Sequence, residues 1–279
     1  MLGVATDHRV RRYQKAASFP ERPAIHGCFP RAVDEMLGRM PKAPSSAVRF
    51  FRARFSAAGT AERAAGAKAY MKSDLWFFGV DAAELRAASA AFCKEVPLDG
   101  ESLRAVAREL FATDWFELRS VAIALLERKR KLLEAVDAPW LIELVRASPC
   151  WAHVDFLVTK VIDPLVVANP KLLPRVRSWA QDEDFWVRRT ALLAQLGPLR
   201  RGGGDFALFA EVAAPMLVEK EFFIRKAIGW VLREVSKKRQ ALVRDFLLEH
   251  GARASGLTWR EATKYLPPGM QRELARVRA

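Results

Sequence analysis

The sequence predicts an all-α chain of helix pairs stacked into a solenoid, and three observations carry the prediction. From Ser46 onward apolar residues recur at spacings of three and four, one face of a helix at a time. No segment shows the period-two alternation of a half-buried strand. Helix start signals recur along the chain with short connections between them.

The elements follow in order. Thr60 precedes AERAAGAKAYM, Asp81 precedes AAELRAASAAF, and Asp114 precedes WFELRSVAIALLERKRKLLEA. Each of these side chains carries an oxygen that suits an N-cap, where it accepts a bond from an orphan backbone amide. Asp137 precedes APWLIELV, and Ser148-Pro149 is expected to open CWAHVDFLVTKVI with the proline at the first helical position. Asn169-Pro170 is expected to open KLLPRVRSWA, and Asp182 or Asp184 to open FWVRRTALLAQL. Helices from about 205, 219 and 239 lead to a last short one beginning at Thr258. Short helices in this number, each with one apolar stripe, suit stacked pairs with a concave face better than a four-helix bundle. No fixed-period consensus lies over the pairs, which keeps an irregular α-array as an alternative.

Residues 1–45 read differently. Pro20, Pro23, Pro30, Pro41 and Pro44 punctuate them, and Arg9, Arg11, Arg12 and Lys15 make them basic. They are expected to form a poorly ordered extension, either a solvated tail or an arm for phosphate, and residues 46–279 to form a single domain. The 279-residue chain carries a formal net charge of +14. Eight Lys and Arg against four Asp and Glu lie in residues 1–45, leaving +10 for the rest, enough for a basic groove that tracks phosphates.

Several function classes drop out. No run reaches the roughly 18 apolar residues of a membrane span, and Asp7 and His8 stand where a secretory leader needs an apolar run. A cytoplasmic protein is expected. Cys28, Cys93 and Cys150 are far apart and odd in number, against both a disulfide framework and a thiolate zinc site. The phosphate-loop, serine-hydrolase elbow and zincin motifs are all missing, and the four histidines show no ligand spacing, so neither metal nor cofactor is expected. Gly202, Gly203 and Gly204 read as a flexible turn.

Three segments remain. In KEFFIRKAIGWVLREVSKK, Ile224, Ile228, Val231 and Val235 make a core stripe, while Lys226, Trp230, Arg233 and Lys237 follow the same spacing on another face. An indole inside a cationic row suits stacking against nucleic acid, or else neighbouring helices cover it. In CWAHVDFLVTKVI, Trp151 and Asp155 share a face, and Asp155 sits in an apolar stripe near Ala152, Val158 and Thr159. A carboxylate there either meets a cation from another helix or serves a site. His153 points elsewhere, as a surface or packing residue. In FWVRRT, Arg188 and Arg189 cannot share one face, so one reaches a partner while the other is solvated or pairs with Asp182 or Glu183.

The blocks AYMKSDLWFFGV, CWAHVDFLVTKVI, FWVRRTALLAQL and EFFIRKAIGWVLREVSKK, in this order between about 60 and 270, resemble the bacterial DNA alkylation repair glycosylases of the AlkD family. The resemblance implies HEAT-like helix pairs and release of cationic alkylated purines, of the 3-methyladenine and 7-methylguanine type, from duplex DNA. It assigns the catalytic carboxylate to Asp155 and the lesion-flanking aromatics to Trp151 and Trp230. It assigns backbone contacts to Arg188 or Arg189 and, by spacing from Trp230, to Arg233 and Lys237, with Lys226 in the same cationic row. Two positions depart from the family: Cys150 stands where a second aromatic is common, and Leu75-Trp76 where a more polar or proline-containing loop is common. A monomer on double-stranded DNA, associated with the nucleoid, is the matching expectation. A non-catalytic helical-repeat binder of DNA or RNA and a protein-interaction scaffold are the rival readings.

Overall fold

The computed structural model describes residues 46–277; the expectations for residues 1–45 lie outside them. Helix α1 runs Ser46–Ala58, α2 Ala61–Met71, α3 Ala82–Glu95, α4 Gly100–Phe111 and α5 Phe116–Arg128. Then come α6 Ala138–Arg146, α7 Trp151–Leu157, α8 Asp163–Ala168, α9 Leu173–Trp179 and α10 Phe185–Leu193. The series closes with α11 Leu196–Arg200, α12 Phe206–Met216, α13 Phe222–Ser236, α14 Gln240–His250, α15 Gly256–Thr263 and α16 Pro268–Ala275. No strand occurs among the described residues, and the single β-bridge joins Trp76 to Trp115. The fold is an all-α helical-repeat array.

Its packing is two rows of helices. Helices α3, α5, α7, α10, α13 and α15 pack each on the next in one row, while α4, α6, α9, α12 and α14 supply the antiparallel partners in the other. Side chains such as Leu118, Val121, Leu141, Val154, Val187, Ile224, Ile228, Val231 and Val235 are sealed between the rows. The repeat that no side-chain consensus reveals is present in the polar contacts. Arg104 meets Asp137 at an offset of 33 residues, Asp155 meets Arg189 at 34, Arg177 meets Glu211 at 34, Arg200 meets Glu234 at 34 and Lys226 meets Glu261 at 35. Each repeat is thus stitched to the next by an ion pair one period along the chain.

Thr60, Asp81, Asp184 and Asp205 cap their helices through side-chain oxygens, and α13 is capped in the same way by Glu221. Other expected starts are displaced for local reasons. Asp114 does not cap α5, because Trp76 N–H donates to the Asp114 carbonyl and Phe116 N–H to the Trp76 carbonyl, each at 2.8 Å, so a tertiary bridge ties the backbone there. The same helix ends at Arg128, and residues 130–132 and 135–137 form short 3-10 turns. Asp137 leaves the α6 cap to pair with Arg104 and to accept Glu134 N–H. Pro149 falls outside α7, whose cap is Cys150 in extended conformation, while the Ser148 hydroxyl finishes the preceding helix on the Leu144 carbonyl. Asn169 likewise donates back to the Leu165 carbonyl, and a 3-10 turn at Pro170–Leu172 comes before α9. The last helix is not the one near Thr258: Ser255 caps α15 on Thr258 N–H, and α16 follows.

Candidate active site

Asp155 projects from the second turn of α7. That helix widens immediately afterwards into a π-turn over Val158–Ile162 before continuing as α8, a distortion that tends to accompany functional positions. The Thr159 hydroxyl donates to the Asp155 carbonyl oxygen at 2.6 Å across the start of this turn.

The Asp155 side chain is 19% exposed, and one guanidinium holds both of its oxygens: Arg189 Nε to Oδ1 at 2.8 Å and Nη2 to Oδ2 at 2.9 Å. Arg189 itself is 3% exposed, lies 5.8 Å from the Phe223 ring centre, and donates its remaining arm to the Phe223 carbonyl. A buried guanidinium needs all its N–H groups satisfied, so this fork locks α7, α10 and the start of α13 into one register. Of the two possibilities for a carboxylate in an apolar stripe, the cation from another helix is present, and the carboxylate still faces partly outward.

Trp151, one turn before Asp155, is half-buried and meets Tyr70 of α2 edge-on at 5.9 Å between ring centres. Tyr70 is 43% exposed. Sequence reasoning did not single it out, although it stands inside the AYMK block, because α2 buries no side chain and has no strong apolar stripe to orient it. Trp230 is also half-buried, packed on the core with the Arg200 guanidinium 6.0 Å from its ring. It lies seven residues beyond Phe223 on α13, about 10 Å along the axis.

The cations fall into compensated groups. Lys226 donates to Glu261 at 2.9 Å and Arg233 pairs with the same carboxylate, both reaching from α13 to α15. Lys237 donates to both oxygens of Glu234 at 2.8 Å. Burial pushes the Glu261 and Glu234 carboxyls up, but the bonds and charges of these cations outweigh it and leave both below the ordinary value. Arg188 forks onto Glu219 at 3.0 and 2.8 Å and also donates to the Asp182 and Glu183 carbonyls, closing the turn before its helix. Neither Arg188 nor Arg189 pairs with the Asp182 or Glu183 carboxylates; Asp182 is taken by Arg146. His153 is a packing residue: its ring lies between Ser120 and the Phe116 carbonyl, and burial, then Arg119, pushes its pKa down to about 3.

Among the described residues, no group of His, Cys, Asp and Glu is placed to hold a metal ion, and no helix is long and apolar enough to cross a membrane. The groups around Asp155 are aromatic rings and cations. The model of a family described as DNA alkylation repair enzyme matches the chain over residues 51–266, a span containing every residue of this site. The chain belongs to that family. Among solved structures similar to this chain is one described as a predicted DNA alkylation repair enzyme from Enterococcus faecalis. It is 28% identical, with a TM-score of 0.67, over 75% of this chain and 97% of that one. AlkD2 from Streptococcus mutans shares the fold at 20% identity and a TM-score of 0.53, over 67% of this chain and 91% of that one. No curated protein gives a significant sequence match.

Proposed function

We propose that this DNA alkylation repair enzyme is a monofunctional glycosylase, hydrolysing the bond between deoxyribose and a purine made cationic by alkylation at N3 or N7. The observation that carries the reading is the Asp155 carboxylate, beside Trp151 and oriented at both oxygens by a buried arginine.

The chemistry asks little of the protein. A cationic purine leaves as a neutral base: the bond from C1′ to nitrogen breaks, its electron pair goes to the ring nitrogen, and no acid has to protonate the leaving group. Positive charge develops on the sugar instead, and a fixed carboxylate stabilises it best where water is scarce. A carboxylate offers about four lone-pair sites; Arg189 uses two, leaving others for the sugar and for a water whose oxygen bonds to C1′ and whose proton is released. Trp151, Tyr70 and Trp230 present electron-rich faces that favour a cationic base over a neutral one, by about 0.5–2 kcal/mol per ring. In this reading Lys226, Arg233, Lys237 and Arg188 hold the DNA backbone, exchanging carboxylate partners for phosphates. One chain carries all of these residues, so the reading takes the protein as a monomer; double-stranded DNA in the nucleoid is its proposed substrate.

The test is release of free methylated bases from methylated duplex DNA without divalent metal, comparing the wild type with Asp155→Asn. Release by the wild type alone supports the assignment. Tight, salt-sensitive DNA binding with no release by either protein turns the reading to a non-catalytic helical-repeat binder.

A further inference from the structure

Trp76 is the most exposed aromatic among the described residues, at 62%, in a region the mechanism leaves unused. Its backbone is unusually well held for a loop. Both of its polar groups are tied to the start of α5, Trp76 N–H to the Asp114 carbonyl and Phe116 N–H to the Trp76 carbonyl. Two residues on, the buried Glu117 carboxylate accepts Phe78 N–H at 3.0 Å and Gly79 N–H at 2.8 Å. Phe78 stacks on Trp115 with ring centres 3.9 Å apart, and Phe77 stacks on Phe116 at 4.7 Å. Phe116 in turn meets His153 at 4.4 Å, on the same short helix as Trp151 and Asp155. The loop is therefore braced against the helix that carries Asp155, and it leaves the Trp76 ring largely exposed, with the Trp115 ring centre 6.4 Å away. Lys68 of α2 lies 5.3 Å from the Trp76 ring's centre.

A lone exposed aromatic is ordinary on a protein surface; what sets Trp76 apart is a backbone held at both polar groups together with a cation beside the ring. An aromatic platform with a cation beside it is the pairing that single-stranded or unstacked nucleic acid requires, where bases stack on the ring and phosphates meet the charge. The net charge of +10 over residues 46–279 selects the same polyanionic partner. We propose that Trp76 stacks on a nucleobase exposed where the duplex is interrupted, with Lys68 at the adjoining phosphate. The proposal rests on the reading of this chain as a DNA repair enzyme, but not on catalysis. In an intact duplex the base faces are covered by their neighbours, so Trp76 has nothing to stack on there. It acts as a specificity residue that distinguishes interrupted from continuous DNA.

The experiment measures Kd by anisotropy for two labelled duplexes of one sequence, one intact and one with a central tetrahydrofuran abasic analogue. The proteins are the full-length wild type, Trp76→Ala, Trp76→Phe and Lys68→Ala. Trp76→Ala is expected to lose about tenfold in affinity for the abasic duplex and to change affinity for the intact duplex by less than about twofold, with Trp76→Phe recovering most of the loss. Lys68→Ala is expected to weaken both duplexes and to lower the salt slope by about one. Equal loss on both duplexes by Trp76→Ala, or no loss on either, overturns the proposal. Base release by the wild type alongside unchanged Trp76→Ala binding sinks the proposal and spares the glycosylase reading. Loss confined to the abasic duplex, with no base release by any protein, does the reverse. A wild type that binds neither duplex ends both.

Discussion

Asp155 and Arg189 stand one repeat apart and share two hydrogen bonds of 2.8 and 2.9 Å, with the arginine almost wholly buried and the carboxylate partly open. The asymmetry matters. Arg189 depends on Asp155 for its charge balance, whereas Asp155 keeps an outward side for a ligand. The same pair therefore carries structural weight and, in the proposed reaction, chemistry, so mutating either residue disturbs both.

Replacing Asp155 by Asn is expected to destabilise the fold by about 1–3 kcal/mol, since a buried guanidinium loses its counter-charge while keeping one acceptor. Arg189→Met is expected to cost a similar amount and to reduce base release as well, because the carboxylate loses its fixed orientation. Urea unfolding followed by far-UV circular dichroism measures both. If Asp155→Asn unfolds at the wild-type midpoint, the ion pair contributes nothing to stability and that energetic reading fails.

The helix class and the caps at Thr60, Asp81 and Asp184 were legible in the sequence because periodicity and capping are local. So was the core stripe of α13, whose Ile224, Ile228, Val231 and Val235 are all fully buried. What was not legible is pairing at a distance. Nothing in FWVRRT says that Arg189 turns inward to Asp155 while Arg188 turns to Glu219, because that choice is made by residues more than thirty positions away. The bridge between Trp76 and Trp115 displaced the expected Asp114 cap for the same reason.

Asp163, at the π-turn's end, gives a pH dependence. Burial pushes its pKa up to about 6, against the opposing pull of the Gly197 N–H bond and of Arg201 and Arg200. The folded value lies above the unfolded one, so the folded state binds the proton more tightly and stability falls as pH rises from about 4 to about 6, by roughly 3 kcal/mol at most. Asp163→Asn, which keeps an acceptor for Gly197 N–H, is expected to remove that loss. The variant should gain stability over the wild type at pH 7.5 and little at pH 4. A gain of the same size at both pH values would show that charge is not the cause.

Gly79 closes the loop that carries Trp76 in a left-handed conformation, φ 78°, and an added Cβ would lie 2.3 Å from the Thr60 carbonyl oxygen and 2.6 Å from Ala64 N. Both neighbours are backbone and cannot swing aside. Gly79→Ala is expected to cost about 2–4 kcal/mol, from the strained φ together with displacement of α2. Its thermal midpoint should drop by several degrees, and an unchanged midpoint would show that α2 shifts freely.

Glu261 neutralises two cations, Lys226 and Arg233, that are assigned to the DNA backbone. If those cations meet phosphate, DNA must displace Glu261, and the carboxylate works against binding. Glu261→Gln keeps the side chain's size and removes its charge, so it is expected to tighten binding to intact duplex several-fold at low salt and to steepen the salt dependence by up to about one in slope. The gain should fade as salt rises, because screening removes the term that the mutation alters. Weaker binding at low salt would mean that Glu261 holds Lys226 and Arg233 in the geometry DNA needs, and that the ion pairs orient the cations more than they compete for them.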